Sequence, residues 1–253
     1  MQPEIGGYVL SKIYVVGIGP GAYDQMTGRA IRALNESDMI IGYTVYVDLV
    51  KDHFPDKEFK TTPMRKEIER CRMCFELAEE GKTVSMICSG DSGVYGMAAP
   101  VYELSPEYDD DIEICVIPGI TAANSGAAVL GCPLNHDYCV ISLSDLLTPW
   151  EIIEKRLKAA IDGDFAIAIY NPSSHKRHDY LKRACDIMLE SGASPDRKCG
   201  YVENIGRNGT SCKVCTLSEL EKEQVNMFTT VFVGNSHSEI INGKLVTKRG
   251  YDI

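Results

Sequence analysis

The sequence predicts an α/β protein built from two closely joined α/β domains, expected at residues 1–117 and 118–253. Three observations predict it. Short apolar runs of strand length alternate with amphipathic helical stretches, which is the pattern of a mostly parallel sheet. Glycine-rich polar turns follow one predicted strand after another. The chain of 253 residues, 44% hydrophobic and 25% charged, is long enough for one large core or two ordinary ones.

In chain order, residues 12–18 form an apolar strand. Residues 24–35 are helical, with Met26, Ala30, Ile31 and Leu34 on one face. Residues 38–41 read as a second strand and 45–50 as a short helix. Residues 65–80 read as a long helix with Ile68, Cys71, Phe75 and Ala78 on its apolar side. Strands follow at 83–88 and 112–117, with a helix starting near Tyr95 between them. A seam is expected at Pro118-Gly119. Beyond it come a small-residue helix (121–130), a strand (138–143), a helix (148–161), a strand (165–170) and a helix (177–190). Strands at 198–203, 213–216 and 229–233 follow, and a hairpin closes around Asn242-Gly243. The second half has more strands per helix, so its sheet is expected to be mixed.

Bulk properties narrow the function. A net charge of −10 argues against a general nucleic-acid binder. No apolar run approaches the roughly 18 residues of a membrane span. Residues 1–11 lack a basic start and an apolar core, so they read as a short extension and not as a secretion signal. The ten cysteines are then expected to be reduced thiols in a cytoplasmic protein. Two Cys-x-x-Cys pairs, Cys71/Cys74 and Cys212/Cys215, do not read as a metal site. The first lies on a helix face. The second lies in a strand, where this spacing points the thiols to opposite faces.

The glycine-rich turns carry the chemistry. Ser89-Gly90-Asp91-Ser92-Gly93-Val94-Tyr95-Gly96 suits either a small-molecule site or a tight loop whose Asp91 caps the next helix. Gly17-Ile18-Gly19-Pro20-Gly21 loosely matches a dinucleotide loop. No acid ends the second strand, however, and Pro20 removes an N–H that a pyrophosphate would want. In Pro118-Gly119-Ile120-Thr121-Ala122, Thr121 can cap a helix or offer its hydroxyl to a ligand. Asn171-Pro172-Ser173-Ser174 and the turn from Glu203 to Thr210 end further strands. So many polar turns at strand ends suggest one cleft lined by loops. Two basic clusters, Arg65/Lys66/Arg70/Arg72 and His175/Lys176/Arg177/His178, are either solvated faces or carboxylate binders. His136 and Asp48 each read as a structural residue or as a functional one.

Taken in order, Gly17–Gly21, Ser89–Asp91 with Tyr95-Gly96, Pro118–Ala122 and the Glu203–Arg207 turn resemble the tetrapyrrole methyltransferases that use S-adenosylmethionine. The resemblance covers nearly all of the chain from Lys12 onward. Gly42-Tyr43 with Tyr46-Val47-Asp48, Met64-Arg65 with Glu67 and Glu69-Arg70, Gly93–Ala98 and Ile141–Asp145 look like the branch that methylates C-17 of precorrin-3B or cobalt-factor III. The resemblance implies a cofactor cleft between two domains, a homodimer, and ring contraction accompanying methyl transfer. It also implies S-adenosylmethionine contacts at Pro20, Ser89, Gly90, Asp91, Val94, Thr121, Ala122, Asn171 and Gly206, and no metal ligands. Some relatives carry Asp where Thr44 stands, and others Met where Asn171 stands. Ring contraction needs proton transfers, for which Asp48, Arg65 and His136 are the candidates. The competing readings are a sister enzyme acting at another ring position, a metal- or corrinoid-binding protein using the Cys-x-x-Cys pairs, and a nicotinamide dehydrogenase.

Overall fold

The computed structural model describes residues 11–174 and 177–251, and they fall into two compact units that divide between Thr121 and Ala122. The extension expected at the start of the chain, apart from Ser11, lies outside the described residues, as do His175 and Lys176.

The first unit runs β1 (Lys12–Gly17), α1 (Gly28–Glu36), β2 (Met39–Tyr43), α2 (Thr44–Val50), β3 (Glu58–Thr62), α3 (Glu67–Glu79), β4 (Thr83–Cys88), α4 (Ala98–Leu104) and β5 (Glu113–Ile117). All five strands pair in parallel, in the order β3-β2-β4-β1-β5. Successive strand residues face opposite sides. Ile13, Val15, Met39, Ile41, Val84 and Met86 therefore pack under α3 and α4, while Val16, Ile18, Ile40 and Ile87 pack under α1 and α2. Both faces are covered, which is why the central strands read as continuous apolar runs.

The second unit runs α5 (Ala122–Leu130), β6 (Gly131–Cys132), β7 (Tyr138–Ser142), α6 (Trp150–Asp162), β8 (Ala166–Tyr170), α7 (Tyr180–Glu190), β9 (Lys198–Glu203), β10 (Ser211–Thr216), α8 (Leu217–Leu220), β11 (Thr229–Val233), β12 (Ser238–Ile241) and β13 (Lys244–Thr247). Its main sheet, β10-β9-β11-β8-β7, is mixed. Because β8 and β9 both run antiparallel to β11, strands β7, β8 and β9 share one direction. Ile141, Ile167, Ile169 and Val231 pack under α6 and α7, and Ala168, Val202 and Phe232 pack under α5. Gly126 of α5 lies on the Phe232 ring so closely that a Cβ would come within 2.8 Å of it. β12 and β13 close through Asn242 and Gly243, both at positive φ (49° and 73°), as a two-residue hairpin requires. They join β6 in a separate three-stranded sheet.

Several helix starts differ from the sequence expectation, each for a local reason. Thr27 caps α1, accepting from the Ala30 N–H at 3.1 Å, so that helix opens at Gly28 and not at Asp24. Arg65 has φ 67° and Tyr95 has φ 53°. Neither fits a right-handed helix, so α3 opens at Glu67 and α4 at Ala98. Helix α7 opens at Tyr180, beyond Arg177. Ile68, expected in the core, is 49% exposed, and Arg70 is buried in its place. Strand β3 departs from the sequence expectation as well: Glu-Phe-Lys-Thr-Thr carries no apolar run and sits at a sheet edge.

Candidate functional site

In the first unit every strand end with a glycine or polar loop lies on one edge, because all the strands run the same way. Parallel sheets place ligands beyond this carboxyl edge. The ends of β4, β1 and β5 are neighbours in the sheet, and their backbones touch. Gly19 and Gly90 exchange N–H···O bonds at 3.0 and 2.7 Å. A Cβ on Gly119 would stand 2.2 Å from the Gly90 carbonyl oxygen, and one on Gly17 would stand 2.6 Å from the Gly119 nitrogen. Only glycine lets these backbones come so close.

Asp91 ties the same loops together. Its Oδ1 accepts from the Gly93 and Val94 N–H groups at 2.8 and 3.1 Å, and its Oδ2 from the Gly119 N–H at 3.0 Å. Asp91 thus holds backbone N–H groups of its own turn and of the loop after β5. Ser92 continues the seam, its buried hydroxyl donating to the Ile117 carbonyl at 2.9 Å. The structure thus gathers Ser89, Gly90, Asp91 and Val94 with the Gly17–Gly21 loop, which carries a buried Pro20. Thr121 closes this unit shortly after Gly119.

In the second unit the ends of the codirectional strands β7, β8 and β9 again share an edge. The Tyr170 hydroxyl accepts from the Ala123 N–H at 2.6 Å, which brings the start of α5, and Ala122 with it, to the end of β8. Asn171, at φ 52°, donates from Nδ2 to the Ser142 hydroxyl at 2.9 Å. That hydroxyl also receives the Ser144 N–H at 3.2 Å. Gly206, at φ 66°, lies in the turn after β9 that Asn204 and Thr210 stabilise. The Asp145 carboxylate follows β7. It accepts from the Tyr180 hydroxyl at 2.5 Å and pairs with Arg177. These contacts, the Tyr180 hydroxyl foremost, hold the carboxyl below its usual range.

The three catalytic candidates part company. Arg65 is exposed and lies beyond the carboxyl end of β3, on the same edge as the loop cluster. Asp48 is an exposed acid on α2 with its carboxylate on Lys51 at 2.6 Å. His136 stands before β7, at the opposite end of that strand from Ser142. At about 3.3 Å per residue the strand alone separates them by roughly 13 Å. There it stacks on His237, with centroids 5.4 Å apart. His136 therefore stands at the other end of β7 from the Ser142–Asn171 hydrogen bond.

The first basic cluster divides. Lys66 pairs with Glu69 at 2.7 Å and Arg72 with Glu107 at 3.0 Å on the surface. Arg70 differs. It is 4% exposed, and its Nε donates to Thr62 Oγ1 at 2.9 Å. The sequence leaves it, with its neighbours, as either a solvated cation or a carboxylate binder. The signal that could have separated it is the spacing Arg70, Cys74, Leu77, which shares the buried face of α3. Of the cysteine pairs, Cys71 and Cys74 are buried, and burial pushes the Cys71 thiol up to about 11. Cys212 is exposed and Cys215 buried, on opposite faces of β10.

Known proteins match this architecture along nearly its whole length. A "Probable cobalt-factor III C(17)-methyltransferase" of Salmonella typhimurium is 45% identical over 94% of this chain and 99% of its own. A "Precorrin-3B C(17)-methyltransferase" of a Sinorhizobium species is 35% identical over 90% of this chain and 91% of its own. The crystal structure of the methyltransferase CobJ superposes with a TM-score of 0.86 at 36% identity, over 94% of this chain and all of that one. A cobalt precorrin-4 methyltransferase, 22% identical with a TM-score of 0.73, shares the fold. Residues 12–221 match the family of Tetrapyrrole (Corrin/Porphyrin) Methylases, and with these relatives the match shows that the chain belongs to it.

Proposed function

We propose that this protein transfers a methyl group from S-adenosylmethionine to C-17 of a cobalt-factor III or precorrin-3B macrocycle, with contraction of the ring, in cobalamin biosynthesis. The observation that carries this reading is the near-full-length likeness to relatives whose names agree on C-17. The carboxyl edge of the first unit supports it physically. Loops whose backbones meet without room for a Cβ, beside the Asp91 carboxylate, suit a ligand held close to main-chain groups.

When bound, S-adenosylmethionine supplies an electrophilic methyl on sulfur, so the protein has chiefly to bind, align and keep water out. Pro20, Ser89, Gly90, Asp91, Val94 and Thr121 in the first unit, and Ala122, Asn171 and Gly206 in the second, are the proposed contacts. Asp91 acts by fixing the loops: three backbone N–H groups keep its oxygens in place before any ligand arrives. Arg65 is exposed beyond the carboxyl end of β3 and carries a forked set of N–H donors. Its proposed part is to hold an anionic substituent of the macrocycle, not to exchange protons during contraction. A cytoplasmic homodimer completes the proposal. Among the described residues no helix is long and apolar enough to cross a membrane.

The test is anaerobic incubation of the protein with S-adenosylmethionine and, separately, cobalt-factor III and precorrin-3B. Mass spectrometry and NMR of the product are expected to show one added methyl at C-17 and a contracted ring. A methyl at another ring position would replace this reading with that of a sister methyltransferase. Absence of methylation with both substrates would overturn it.

A further inference from the structure

Among the described residues Arg70 is a buried charge without a counter-charge. Its Nε donates to Thr62 Oγ1 at 2.9 Å, its Nη2 to the Pro63 carbonyl at 3.4 Å, and its Nη1 faces the Met97 sulfur at 3.9 Å. All three partners are neutral, and the ion pairs among the described residues do not include Arg70. A guanidinium has five N–H groups to satisfy. Enclosing it at 4% exposure with no anion is costly. A thioether is a poor substitute for an anion.

Its position gives the charge a purpose. Pro63 leads from β3 to Arg65, and Met97 directly follows the Ser89–Gly96 loop, so the guanidinium lies beneath two loops of the carboxyl edge. Each loop holds a non-glycine residue in the left-handed region, Arg65 and Tyr95. Such strain concentrates where a ligand is handled. Met97 is the movable side: methionine is unbranched and repacks easily. Were it displaced, Nη1 and Nη2 would form the forked donor pair that fits a carboxylate.

We propose that Arg70 anchors a ligand carboxylate, which takes the place of the Met97 sulfur on the guanidinium. This rests on the methyltransferase reading, whose two ligands both carry carboxylates. One is the amino-acid end of S-adenosylmethionine. The others are the acetate and propionate arms of the macrocycle.

The test uses the full chain, wild type and the variants Arg70→Met and Arg70→Lys. Calorimetry measures binding of S-adenosylmethionine and of its decarboxylated analogue, steady-state kinetics gives KM for the macrocycle, and thermal melts report folding. If the cofactor is the source, Arg70→Met weakens S-adenosylmethionine by about tenfold or more and leaves the decarboxylated analogue unchanged. If the macrocycle is the source, its KM rises by a similar factor while cofactor affinity holds. Arg70→Lys keeps the charge without the fork and falls between, and it carries the test should Arg70→Met fail to fold. Arg70 is no anchor if both variants bind both ligands within about twofold of wild type. It is equally no anchor if they weaken cofactor and decarboxylated analogue alike while lowering the melting temperature. Wild-type protein that neither binds the cofactor nor turns over overturns the methyltransferase reading itself, and the anchor falls with it. A working wild type with indifferent variants removes the anchor alone.

Discussion

The two strand-end edges are built by different means. In the first unit the ends of β4, β1 and β5 meet backbone to backbone, Gly19 on Gly90 and Gly17 and Gly90 against Gly119, with one carboxylate, Asp91, holding three N–H groups beside them. In the second unit side chains make the joins: Tyr170 to Ala123, Asn171 to Ser142, and Tyr180 and Arg177 to Asp145. Backbone contact leaves no slack, because no rotamer can move aside. Side-chain contact can be lost one hydrogen bond at a time. The first edge is therefore expected to fail abruptly under substitution and the second by degrees.

The largest effect is expected at Gly119→Ala. The new Cβ would meet the Gly90 carbonyl oxygen at 2.2 Å, and relief requires strand ends to part. A loss of about 3 kcal/mol or more is expected by denaturant unfolding. Unchanged stability would show that the two edges do not differ in this way. Asp91→Asn comes next. The amide keeps one acceptor oxygen for three N–H groups, so about 2 kcal/mol of stability should be lost, together with most of the affinity for S-adenosylmethionine by calorimetry. Full affinity in a folded variant would separate Asp91 from cofactor binding.

On the second edge, Ser142→Ala removes the hydroxyl that accepts from Asn171 and Ser144, and Tyr170→Phe removes the acceptor of the Ala123 N–H; each should cost about 1–2 kcal/mol. A loss as large as that of Gly119→Ala would erase the contrast. Asp145→Asn sharpens it through pH. The Tyr180 hydroxyl and Arg177 hold the Asp145 carboxyl below its ordinary value of 3.8. Its contribution is then present above that value and is lost as pH falls through the lower folded value. Wild type should exceed the variant in stability by about 1 kcal/mol at neutral pH, and the two should converge in acid. A gap that persists there would place the effect in packing. His136→Ala, at the opposite end of β7, should change methyl transfer and ring contraction by less than about twofold in a time course, the range of an ordinary surface substitution.

Much of the molecule is legible in the residues themselves. The apolar runs at Lys12, Thr83 and Thr229 form central strands because a strand covered on both faces must be apolar throughout. The glycine turns mark the carboxyl edge because close backbone approach excludes every other residue. Strand β3 is not legible, since an edge strand with a polar face needs no apolar run. The starts of α3 and α4 are hidden too, because nothing in the residue types of Arg65 and Tyr95 announces a positive φ.

The sequence by itself determined the family, the alternation of strands and helices, and which turns could bear chemistry. These follow from residue type and local spacing. Tertiary structure alone decided what those residues do. It bound the Asp91 carboxylate to backbone N–H groups, put His136 at the far end of its strand, left Asp48 on a helix surface with Lys51, and sealed Arg70 beneath two loops. Partners distant in sequence fix a side chain's burial and bonds, and strand direction fixes which ends meet. Neither is written in the spacing of one segment.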